Sequence, residues 1–224
     1  MNLKYLGDAK DWWKGAVLTC LRRTGAIRSP QVVPMFTDVG RWSDEDLDSY
    51  VAFLGIEGRG LLFTESPYRL FTQARREEYF EAVLKWTLGP AERDRDLFLD
   101  PDTGLSVKGS KKHVRPEECW SLVQDRPDKV VVVYQHGARA PEARPWEEMR
   151  LRCALDAVEG GHGLALASGG QSSSDLPKGD AALLFLSLDK SRIAAVEKSL
   201  SDALGSNAEK RILRLPTSEN MNSK

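Results

Sequence analysis

Four consecutive valines, Val130 to Val133, framed by Lys129 and Tyr134, constrain this chain more than any other feature. β-Branched side chains favour extended backbone, and a strand without polar alternation needs apolar cover on both faces. A parallel strand between two sets of helices meets that need, so the run predicts a central strand of an α/β sheet. Residues 181–187, Ala-Ala-Leu-Leu-Phe-Leu-Ser, have the same character and predict a second buried strand.

Helical periodicity fills the intervals. A first helix is expected over 7–23, with Trp12, Trp13, Ala16, Val17, Cys20 and Leu21 as its apolar face. Ser43 is placed to cap a second, in which Leu47, Tyr50, Val51 and Leu54 share one side. Further helices are predicted over 73–88, from Pro116, over 146–158 and over 191–204. Strands are predicted over 31–37, 60–64, 97–100 and 163–167, with an edge strand over 211–215. Such alternation implies a three-layer, doubly wound, mainly parallel sheet with right-handed crossovers. Only a Gly/Ser-rich segment, 168–179, separates the strands at 163–167 and 181–187, so these form an antiparallel pair near the C-terminus. The reading is one α/β domain over 1–216 with a polar tail over 217–224.

Lys plus Arg (32) nearly balance Asp plus Glu (33), and the net charge of −1 gives no global attraction to nucleic acid or anionic membrane. A polyanion site must therefore be local. The first residues lack the apolar segment of a signal peptide, and no run approaches the roughly 18–20 apolar residues of a membrane span, which predicts a cytoplasmic protein without a membrane partner. Cys20, Cys119 and Cys153 are odd in number and lack CxxC spacing, so they are expected to be buried structural thiols.

Ligands of open parallel sheets bind beyond the carboxyl ends of the strands. The residues leaving those ends are Asp38, Glu65, Asp100, His136 and Asp189, the last belonging to the opposite edge if its strand is antiparallel. The turn after the 97–100 strand is the densest signal. Pro101 fixes the backbone direction, Gly104 permits a sharp turn, and Asp100 and Asp102 emerge two residues apart, suited to orienting an amine, a metal or a water. The same two carboxylates also suit an Asx-type turn that serves only nearby backbone donors. Next, residues 108–115 carry Lys108, Lys111, Lys112, His113 and Arg115, a loop able to grip phosphates or simply to face solvent. Beyond the valine strand, His136 suits a general base, metal ligand or hydrogen-bond donor, and Arg139 an anion clamp. Walker, GxGxxG, GxSxG and HExxH motifs are absent, and the first strand-to-helix loop, 37–43, holds one glycine, Gly40.

With these residues in view, the chain resembles the class I, Rossmann-like methyltransferases. The stretch from Leu99 to Gly104 is similar to the Asp-Pro-Pro-Tyr type motif of amino-methyltransferases, with Asp102 at the second proline and Thr103 at the aromatic position. Paired with Tyr134 to Arg139, it also resembles bacterial proteins carrying Asp-Pro-Asp-(Asn/Thr)-Gly followed by Tyr-Gln-His-x-x-Arg. The resemblance implies S-adenosylmethionine near Asp38, Gly40 and Glu65, with Glu65 on the ribose hydroxyls, and Asp100 and Asp102, with His136, at the reacting amine. Lys108, Lys111, Lys112 and Arg139 would then hold the phosphates of nucleic acid or a nucleotide. Two other readings follow from the residues. One is a nuclease or phosphohydrolase in which Asp38, Asp100 and Asp102 bind Mg²⁺ or Mn²⁺, with His136 or Lys111 handling protons and charge. The other is a non-catalytic module that binds through the basic loop.

Overall fold

The computed structural model describes residues 6–37, 42–65, 73–89, 94–108, 110, 112–137, 146–169 and 181–215. In chain order the elements are α1 (Ala9–Arg23), β1 (Gln31–Val33), α2 (Asp44–Leu54), α3 (Gln73–Thr87), β2 (Leu97–Leu99), β3 (Gly104–Leu105), β4 (His113–Val114) and α4 (Pro116–Ser121). Then come β5 (Val131–His136), α5 (Trp146–Leu155), β6 (His162–Ala167), β7 (Ala181–Ser187), α6 (Lys190–Leu204), α7 (Ala208–Arg211) and β8 (Ile212–Arg214).

Six strands make one sheet in the order β1-β2-β5-β7-β6-β8, and β3 and β4 form a separate parallel pair. β1, β2, β5 and β6 point one way, while β7 and β8 run against them. The expected antiparallel pair is β6 with β7, and β7 is inserted between β5 and β6. Side chains alternate along every strand, so the valine run feeds two apolar clusters. Val130 and Val132 join Leu18 and Leu21 of α1, Tyr50 and Leu54 of α2, and Ile193 and Val196 of α6. Val131 and Val133 join Tyr79 and Val83 of α3, Cys119 and Trp120 of α4, and Leu151 of α5.

Three expectations about the strands and helices change. The strand expected over 31–37 ends at Val33, because Pro34 offers no N–H to the ladder and Met35 turns the chain at φ 42°. The apolar run at 60–64 is mostly a tight turn: the N–H groups of Leu61 and Leu62 go to the carbonyls of Gly58 and Arg59. What survives of the strand is a single parallel bridge from Leu62 to Val32, with Phe63 N–H donating to the Val32 carbonyl at 2.8 Å. That bridge lies on the flank of β1 opposite β2, since β2 occupies the other side. Third, the inward side of α1 is only partly the expected one: Leu21 is buried, and Trp13 and Val17 pack against the core half-buried. Trp12 is 60% exposed and Ala16 is exposed, whereas Asp11, Lys14, Gly15, Leu18 and Leu21 are buried.

The termini of the helices follow their sequence signals. Asp8 caps α1, accepting from the N–H groups of Lys10 and Asp11, and Ser43 and Asp46 form a reciprocal capping box at α2. Gly15 lets α1 meet α2 backbone to backbone, for a Cβ there would overlap the Phe53 carbonyl. All three cysteines are free thiols, but the expected burial holds only for Cys119, since Cys20 and Cys153 are partly exposed. Among the described residues no helix is long and apolar enough to cross a membrane.

Candidate active site

The carboxyl end of β2 delivers Asp100, and the carboxyl end of its neighbour β5 delivers Tyr134, Gln135 and His136. Asp100 is only 1% exposed, so its charge has to be met inside the protein. Lys14 Nζ donates to Asp100 Oδ2 at 2.8 Å, and the Tyr50 hydroxyl donates to the same oxygen at 2.5 Å. Lys14 also bridges Asp11 Oδ1 at 2.6 Å and sits 4.4 Å from the centre of the Tyr134 ring. Asp11 in turn accepts from the N–H of Gly7 at 2.9 Å. A helix turn, a second helix and a strand end thus converge on one buried carboxylate.

The electrostatics are set by burial and by these partners. For Lys14, burial works against the ammonium, yet the attraction of Asp100 and Asp11 prevails and raises its pKa. Burial pushes Asp11 upward, and the nearby Asp100 charge adds to the shift. Burial and Asp100 raise the Tyr50 phenol well above its ordinary value, so it stays a hydrogen-bond donor. His136 is pulled down by burial and then by Lys10, whose Nζ lies 3.5 Å from Nδ1. Because an ammonium only donates, Nδ1 is the acceptor and the proton of the neutral ring resides on Nε2. The Tyr134 hydroxyl beside it is buried with no hydrogen-bond partner among the described residues.

The turn that follows Asp100 is fixed by a side chain of β5. Gln135 Oε1 accepts the Leu105 N–H at 2.7 Å, and Nε2 donates to the carbonyls of Thr103 and His136 at 3.2 and 2.9 Å. Gly104, at φ 114°, is what admits this amide, since any Cβ there would overlap it.

Asp100 and His136 of the expected site residues are brought to this edge, and Asp102, near enough for its charge to act on His136, pairs with Lys112 at 3.0 Å. Glu65 is exposed and leaves the same sheet edge from the far flank of β1, just after the Leu62 bridge. Asp189 belongs to the opposite edge, because β7 is antiparallel, and there it caps α6 by accepting the Ser191 N–H. Asp38, Gly40, Lys111 and Arg139, like the 168–179 segment beyond Gly169 and the 217–224 tail, lie outside the described residues. Lys108 is exposed. The basic segment is less loop-like than its composition suggests: His113 and Val114 are strand β4, and Arg76 ties the carbonyls of Ser110 and His113 to the Glu118 carboxylate. Asp100 and Asp102 face different cations, and among the described residues no group of three His, Cys, Asp or Glu side chains is placed to hold a metal.

The sequence pattern missed Asp11, Lys14 and Tyr50. A charged pair at i and i+3 in a first turn reads as solvent-facing, and Tyr50 reads as core. One signal was present: with Asp11, Lys14, Leu18 and Leu21 taken together, the i, i+3, i+7, i+10 stripe of α1 is continuous with the burial pattern. No family model, curated protein or solved structure matches the chain.

Proposed function

We propose that this chain is a Rossmann-like, methyltransferase-like enzyme that transfers a methyl group from S-adenosylmethionine to an amine of nucleic acid or a nucleotide, working in the cytoplasm. The observation that carries the reading is the reversal at β1. The chain leaves β1, bridges to its outer flank at Leu62, and returns to its inner flank as β2. In doubly wound sheets ligands bind in the crevice at such a reversal, beyond the strands' carboxyl ends. The insertion of antiparallel β7 between β5 and β6 agrees with the class I methyltransferase layout, as does helical cover from α1, α2 and α6 on one face and α3, α4 and α5 on the other.

In this reading the exposed Glu65 carboxylate holds the ribose hydroxyls, with Asp38 and Gly40 completing the cofactor side. When bound, S-adenosylmethionine supplies an electrophilic methyl group. Asp100 accepts an N–H of the target amine and orients its lone pair, while Lys14 and Tyr50 hold the carboxylate in place so that no reorganisation is needed at the moment of reaction. His136, neutral with its proton on Nε2, donates to the substrate. Lys108 and Lys112, with Lys111 and Arg139, bind phosphate.

Isothermal titration of the chain with S-adenosylmethionine tests this directly. Binding heat and a raised melting temperature are expected, with Glu65→Ala weakening both. Asp100→Asn should bind the cofactor normally but lose about 10²-fold or more in methyl transfer. No heat together with no protection against melting sinks the reading.

A further inference from the structure

The opposite edge of the sheet, at the amino ends of β1, β2 and β5, contains a second polar cluster that the reaction above leaves unused. Asp96, Arg28, Arg192, Arg126, Asp128 and Asp94 form a chain of ion pairs there, Arg28 to Asp96 and Asp128, Arg192 to Asp96, and Arg126 to Asp94 and Asp128. Lys129 belongs to the same cluster, yet its side chain is fully buried and its ammonium has no hydrogen-bond partner among the described residues. Gln31 is also fully buried, and neither polar atom of its amide has a partner among the described residues.

These side chains share a face. Gln31, Leu97 and Val131 are in register across β1, β2 and β5, and Leu97 and Val131 both enter the α3–α5 cluster. By the same alternation Lys129, two residues before Val131, falls on that face as well. Gln31 and Lys129 therefore flank β2 from either side. The Lys129 N–H donates to the Arg126 carbonyl at 3.0 Å, and Arg126 lines a cleft of about 570 Å³ with Leu88, Asp94 and Asp125. Burial and then Arg126 lower the Lys129 pKa to about 8, which still leaves the ammonium mostly charged at neutral pH. Asp96 and Asp128 attract this ammonium without pairing with it, and Arg126 and Arg28 oppose them. A buried ammonium with no acceptor and a buried amide without partners are both costly, and a bound water meets the hydrogen bonds without adding negative charge.

We infer that this edge is a binding site for a small oxyanion, phosphate or carboxylate, held by the Lys129 ammonium and the Gln31 amide N–H. It is separate from the Asp100 edge and does not depend on methyl transfer.

Thermal melts of the full chain in chloride buffer at fixed ionic strength, titrated with inorganic phosphate and separately with acetate, test the site. One or both anions should raise the melting temperature saturably, by about 3–6 °C at ten times the dissociation constant, and the one that does so names the source. Gln31→Leu and Lys129→Met should each abolish the rise. Lys129→Met should also melt above the parent in chloride alone, because an apolar chain replaces a buried ammonium that no acceptor meets. A rise that never saturates, or that Gln31→Leu and Lys129→Met keep in full, reflects general exclusion of the salt from the surface and overturns the inference. So does a flat response to both anions.

Discussion

The two ends of β2 each carry a buried aspartate, and the protein uses them differently. Asp96 and Asp100 are 0% and 1% exposed. Asp96 takes the N–H groups of Arg28 and Val130 at 2.7 and 2.9 Å and the guanidinium groups of Arg28 and Arg192 at 3.0 and 2.8 Å. Main chain and rigid planar donors from separate elements surround it, so it behaves as a structural rivet. Asp100 is met by one ammonium and one phenol, both ends of side chains, and the ammonium is shared with Asp11. Equal burial therefore does not mean equal roles: what decides is whether the donors are fixed backbone or adjustable side chains.

Replacing each aspartate by asparagine is the sharpest way to break this contrast. Asp96→Asn should be the most damaging change, on the order of 3–5 kcal/mol, since it takes the carboxylate from Arg192, leaves Arg28 with Asp128 alone, and turns an amide N–H₂ toward donors. Urea unfolding measures it. If Asp100→Asn costs as much, the distinction fails. Lys14→Met should come next, at about 2–3 kcal/mol, because it leaves Asp11 and Asp100 facing each other without their shared cation. Combined with Asp100→Asn it should cost less than the sum, and an additive result would mean the two do not act as a unit. The smallest effect is that of His136. Its folded pKa lies below the ordinary 6.5, so the stability it contributes is present above pH 6.5 and is lost as pH falls through the lowered value. His136→Gln should remove that part of the acid slope in a pH series of melts.

The sheet was readable where periodicity is strong. The valine run and residues 181–187 became β5 and β7, and the short link between the last two major strands predicted their antiparallel pairing. Residues 60–64 misled because an apolar run reports burial rather than pairing: Leu61, Leu62 and Phe63 are buried, but a tight turn consumes the hydrogen bonds that a strand needs. At the candidate site Asp100 was legible from its place after a strand. Its partners were not, since Lys14 and Tyr50 stand 86 and 50 residues away, and a lysine on a helix reads as solvated until a distant carboxylate is seen beside it. The unpartnered Lys129 was hidden for the related reason that a charge at the start of an apolar strand usually marks the surface.

The contact between Gly104 and Gln135 sets a rule for how this protein can change. The turn after Asp100 is held by an amide reaching across from β5, and that amide occupies the space a side chain at position 104 would need. Neither residue can drift alone: a shorter side chain at 135 releases the turn, and a larger one at 104 expels the amide. Variation is therefore expected to be absent at both positions or to arise at both together, which makes the pair a marker by which diverged copies of this chain can be traced.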